Sequence, residues 1–160
     1  MMDATKPERS EFDSVDPAPA SAIEDVLRLR SIICDENEKM FQRMRALIAL
    51  RNIGCSDSVE ALSAAFFSPS ALLKHEIAYV MGQIQNPLAI PSLINRLQDT
   101  TEDVMVRHEA AEALGAIGDR RALSILEQYR DDSEIVVAES CEVALDLLEW
   151  VASKRFEYTD

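Results

Sequence analysis

Two stretches decide how this chain is read: Lys74-His75-Glu76-Ile77-Ala78-Tyr79-Val80-Met81-Gly82-Gln83-Ile84 and Arg107-His108-Glu109-Ala110-Ala111-Glu112-Ala113-Leu114-Gly115-Ala116-Ile117. They match position for position, 33 residues apart. In both, apolar residues recur at three- and four-residue steps, which predicts a helix. A unit recurring at this period predicts stacked helical hairpins, with equivalent positions brought side by side.

The pattern extends in both directions. An earlier copy contains Met44 to Gly54, followed by Val59 and Leu62, and a later, shorter one contains Val136 to Leu145. Met44, His75, His108 and Glu139 fall at equivalent places, separated by 31, 33 and 31 residues. Polar turns, Gln85-Asn86-Pro87 and Gly118-Asp119-Arg120, separate the two helices of a unit. Gly118 is suited to stop a helix and Pro87 to start one. Ile23 to Ile33 is expected to cap one end of the stack, and Val143 to Trp150 to close the other. The small residues Ala78, Gly82, Ala111, Gly115 and Ala144 let adjacent hairpins approach closely. Tyr79, Met81 and Leu114 read as packing residues, with Tyr79 also able to line a groove. The fold class is therefore all-α: an α-solenoid of about four HEAT-like helical hairpins without strands.

Residues 1–20 carry Pro7, Pro17 and Pro19 among acidic and small residues, with no apolar periodicity. They read as a flexible tail or inter-half linker ahead of a HEAT-repeat domain over 21–160. Apolar residues make up 48% of the 160, yet charges interrupt every stretch, so no membrane span is expected. The formal charge of −13 disfavours nucleic acid and favours a basic partner, such as a lysine-bearing protein segment. Cys34, Cys55 and Cys141 lack the spacing of a zinc site or a disulfide framework and suit a reducing, cytoplasmic setting.

His75 and His108 are the chain's two histidines, and each is followed by a glutamate. Stacking places them across a gap of about 10 Å, one helix diameter, which two imidazoles nearly span. Two histidines and one carboxylate form a donor set for a divalent transition metal such as iron, with positions left open for oxygen or substrate. The other glutamate can hold a ring N–H or a bound water. His75, Glu76, His108 and Glu109 are thus the candidate metal-site residues. The first and fourth units carry Met44-Arg45 and Glu139-Ser140 instead, so the pairs are not part of the repeat itself. They are not an HExxH pair on one helix, and no nucleophile elbow or phosphate loop accompanies them.

The two runs, with Met105-Val106 ahead of the second, resemble the His-Glu motifs of the deoxyhypusine hydroxylase family. The resemblance continues through Glu139 to Asp146 and Phe156-Glu157-Tyr158, and Ser14 to Pro19 is similar to the linker between that family's two halves. It implies a di-iron monooxygenase of two HEAT-repeat halves, which hydroxylates a deoxyhypusine side chain on a eukaryotic translation factor. His75, His108 and Glu109 would then be ligands of one iron, with Glu76 lining the site or facing substrate. The resemblance covers only the C-terminal half. The expectation is one iron per chain and little activity without a complementary N-terminal half or a second copy. The alternative is a non-catalytic HEAT-repeat protein-binding module. A third reading, resting on the repeats alone, is a protein acting on a tetrapyrrole.

Overall fold

The structure, a computed structural model, describes residues 6–10 and 13–153. Parts of the 1–20 segment, the end of the 21–160 domain and the Phe156-Glu157-Tyr158 stretch lie outside the described residues. Among those described there is no strand. The helices are α1 (Val26–Cys34), α2 (Met40–Ile53), α3 (Ser56–Ala65), α4 (Ala71–Ile84), α5 (Ile90–Gln98), α6 (Val104–Ile117), α7 (Leu123–Gln128) and α8 (Ile135–Ser153). Short 3-10 turns at Pro87–Ala89 and Arg120–Ala122 lead into α5 and α7.

Local chemistry sets the register. The Ser70 hydroxyl accepts from the Leu73 amide and the Asp103 carboxylate from the Met105 amide, capping α4 and α6. Caps of this kind stabilise a helix by about 0.5–2 kcal/mol. With α2, α4, α6 and α8 starting at Met40, Ala71, Val104 and Ile135, residues Met44, His75, His108 and Glu139 each stand fifth in their helix. Gly54 (φ 62°) and Gly118 (φ 77°) end α2 and α6 in the left-handed region, as glycine readily does. Gln85 takes the same conformation at the end of α4, where its Nε2 donates to Ala116 O at 2.8 Å. The fourth copy has Glu149 at that place, and α8 runs on as one helix of 19 residues. The expected Val136–Leu145 and Val143–Trp150 segments are therefore one element. At the other end, Asp25 accepts from the Leu27 and Arg28 amides, so α1 starts at Val26 and leaves Ile23 and Glu24 ahead of it.

Helices α2, α4, α6 and α8 stack in one row, and α1, α3 and α5 form a second row, with α7 against α8. Leu29, Leu47, Leu62, Ile77, Leu93 and Leu126 are fully buried in the core. Buried Arg43 and Arg107 donate through Nε to Ile33 O and Leu97 O, both at 2.9 Å, closing the carbonyl ends of α1 and α5. Asp16 to Ala20, the end of the expected tail or linker, lies on α2 together with Ser21 and straps the chain to that helix. Ala18 is buried, Arg51 binds Asp16 at 3.0 and 2.9 Å, and Arg45 O accepts from the Ser21 amide.

The row is tightest where it carries glycine. A Cβ on Gly82 would lie 3.1 Å from Ala113 Cα, and one on Gly115 would lie 2.9 Å from Ala144 Cα. These contacts bring α4 against α6, and α6 against α8, closely enough for short polar side chains to meet across the seams.

Candidate metal centre

Seven residues separate His75 from Gly82, about two helical turns, so both face α6. On α6 the facing residues are Glu109, Ala113 and Ala116. The glycine contact and the histidine contact therefore belong to one seam. Across it, Nε2 of His75 lies 3.0 Å from Oε2 of Glu109, and Nε2 of His108 lies 3.5 Å from the same oxygen. The two imidazole rings are 5.9 Å apart and tilted by 32°. One donor atom from each of His75, His108 and Glu109 fits within 4.8 Å of the other two.

Glu76 stands outside this trio. Its Oε1 is 3.6 Å from Nδ1 of His75, the ring nitrogen turned away from Glu109. That distance is too long for a hydrogen bond. The remote nitrogen of His108 is better held, at 3.0 Å from Ser140 Oγ and 3.3 Å from Glu112 Oε1. The structure thus brings three of the four expected residues together and puts the fourth behind His75.

Ser140 and Glu112 were not singled out from the sequence. Signals for both exist. Glu112 follows His108 by four residues, one helical turn, and Ser140 occupies in α8 the place that Glu109 occupies in α6.

The electrostatics favour a cation. Glu109 is buried, and this burial is the main cause that raises its carboxyl above the usual range. The His75 and His108 imidazoles oppose the shift, while Glu112 and Glu76 add to it. The neighbouring basic residues serve elsewhere: Lys74 Nζ binds Glu102 at 2.6 Å, and Arg107 binds Asp132 at 2.6 Å. Three carboxylates therefore gather around two imidazoles. Two nitrogens and one buried carboxylate oxygen suit a divalent transition metal, and polar groups behind both rings are of the kind that orient metal-bound histidines.

A family model for HEAT repeats matches residues 26–105 and, overlapping them, 68–146. The chain is 50% identical over 149 residues to deoxyhypusine hydroxylase of Danio rerio, covering 93% of this chain and 49% of that protein. It is 46% identical over 155 residues to the Homo sapiens protein of the same name, covering 97% of this chain and 51% of that one. A solved structure of human deoxyhypusine hydroxylase in complex with glycerol superposes with a TM-score of 0.86 at 48% identity, over 90% of this chain and 50% of that one. The chain spans about half the length of the curated relatives it matches.

Proposed function

We propose that this chain, which belongs to the HEAT-repeat family, is one ligand-bearing half of an iron-dependent deoxyhypusine monooxygenase. The observation that carries the reading is the convergence of both histidine Nε2 atoms on Glu109 Oε2, in a chain about half identical to hydroxylases of that name. His75, His108 and Glu109 would hold the iron, and Glu76 would stand behind His75 or face substrate. Iron bound there would supply the activation of dioxygen that hydroxylation of an unactivated carbon requires.

The protein's own residues supply the rest. Two imidazoles and one carboxylate leave part of the coordination sphere free. The charge of −13 draws in a basic segment, which fits a deoxyhypusine-bearing eukaryotic translation factor as substrate. Phe41, Leu72 and Met105 stand one turn before Met44, His75 and His108, and Tyr79 one turn after His75, all about half exposed. Such an apolar border suits a site covered by another body, here a complementary N-terminal half or a second copy. With one ligand set per chain, the complete enzyme would be a di-iron protein. Free Cys34, Cys55 and Cys141 support a reducing, cytoplasmic setting. Among the described residues no helix is long and apolar enough to cross a membrane.

The test is hydroxylation of a deoxyhypusine-bearing protein by this chain alone and by the chain combined with a complementary half. Turnover is expected only from the pair. His108→Ala should remove iron and turnover together, and Glu76→Ala should keep most of the iron while slowing turnover. Full turnover by a strictly monomeric single chain would overturn the half-site reading. An iron-loaded pair without turnover would favour the non-catalytic binding module.

A further inference from the structure

We propose that Ser140 and Glu112 are positioning residues that lock His108 with its Nε2 lone pair turned into the site, whereas His75 has no hydrogen-bonded support of this kind. The inference about ion binding rests on the metal reading above. The inference about tautomers does not.

The argument begins with hydrogens. Ser140 Oγ donates to Glu112 Oε1 at 3.3 Å, since an ionised carboxylate only accepts. With its hydrogen committed there, the hydroxyl offers a lone pair to Nδ1 of His108 at 3.0 Å. Glu112 Oε1 lies 3.3 Å from the same nitrogen and sets its negative charge beside it. Both neighbours of that nitrogen are acceptors, so the ring proton sits on Nδ1 and leaves Nε2 with a free lone pair. That lone pair points toward the seam shared with His75 and Glu109.

His75 is held less firmly. Its Nε2 is 3.0 Å from Glu109 Oε2, near enough for the charges to act but not aligned as a hydrogen bond. Its Nδ1 is 3.6 Å from Glu76 Oε1 and makes no hydrogen bond. Neither ring nitrogen of His75 is therefore fixed by a hydrogen bond.

An ion entering the seam finds His108 ready. At His75 no hydrogen bond selects the tautomer, and the ring presents an Nε2 lone pair in only part of the population. His108 is thus the leading ligand, and the Ser140–Glu112 pair makes it so.

The test uses the intact chain with 15N-labelled histidine, read by long-range proton–nitrogen correlation in the absence of metal. At about pH 8.5 an ordinary imidazole is neutral, and with two histidines a His75→Gln variant assigns both. His108 is expected to be protonated at Nδ1, and His75 to populate both tautomers. Ser140→Ala and Glu112→Ala should each weaken the His108 preference and leave His75 unchanged. Glu112 is half exposed, so its variant keeps the inference testable should the buried Ser140→Ala protein fail to fold. Cobalt(II) titration should show affinity falling about 10–100-fold in both variants.

A His108 ring protonated mainly at Nε2, or variants that leave His108 unaltered, would overturn the inference. Unchanged cobalt affinity in the variants would overturn the leading-ligand part. A wild-type chain that binds no cobalt would overturn the metal reading itself, and the spectra would then decide the tautomer assignment alone.

Discussion

The α4–α6 and α6–α8 seams are built alike and differ at one rung. In each, a glycine of the earlier helix lies against an alanine of the later one, Gly82 on Ala113 and Gly115 on Ala144. In each, the histidine standing fifth meets the residue standing sixth in the next helix. At the first seam that residue is Glu109, met through Nε2; at the second it is Ser140, met through Nδ1. The repeat thus supplies one close backbone approach twice, and the residue on the rung decides its chemistry. A carboxylate makes the rung a place for a cation. A hydroxyl makes it a support for the ring next door. The α2–α4 seam departs further: Met44 replaces the histidine, and Arg51 stands at the glycine position and reaches out to Asp16.

Breaking the frame at its two ends should have unequal effects. Arg107 and Asp132 are both buried, whereas Glu36, the partner of Arg43, is half exposed. Arg107→Met strands Asp132 and opens Leu97 O, and should destabilise the fold by about 3–5 kcal/mol in urea unfolding. Arg43→Met should lose less, about 1–3 kcal/mol, because water can reach Glu36.

The glycines come next. Gly115→Ala puts a methyl 2.9 Å from a backbone carbon and 2.8 Å from Ala144 Cβ, so α6 and α8 must separate. A loss of about 1–3 kcal/mol is expected. Gly82→Ala, with 3.1 Å to spare, should lose less and widen the His75–Glu109 gap. Equal losses for the two would show that the α6–α8 seam is not the tighter of the two.

Acid should expose the Arg107 contact. The Arg107 guanidinium, hydrogen-bonded to Asp132, holds that carboxyl below its ordinary value of 3.8. A carboxyl lowered in the folded state stabilises it above the unfolded value, and this is lost as pH falls through the folded one. Wild-type stability should therefore decline below about pH 4, and Arg107→Met should lose part of that decline. The smallest effect belongs to the Asp16–Ser21 strap on α2. Asp16→Asn should cost at most about 1 kcal/mol, read as faster amide exchange at Ser21.

Much of this was legible in the sequence because the repeat copies its register. Equivalent residues at 44, 75, 108 and 139 became fifth residues of four helices, and His75, His108 and Glu109 came together at one seam with Glu76 left behind His75. The continuous α8 was not legible from its apolar pattern, which reads the same with or without a turn at Glu149. The strap escaped because its hold on α2 comes from Arg45 and Arg51, long-range partners that a proline-rich composition does not announce. Ser140 was visible only as a departure from the His-Glu pattern. Its role depends on α6 and α8 lying close enough for a hydroxyl to reach a ring.

The central claim is that His75, His108 and Glu109 together hold one metal ion, and ion stoichiometry tests it most directly. Purified chain loaded anaerobically with iron(II) and desalted should retain close to one ion per chain. His75→Ala, His108→Ala and Glu109→Ala should each retain almost none while keeping their helical content. Wild-type chain that retains no iron, or a Glu109→Ala chain that retains as much as wild type, would contradict the account.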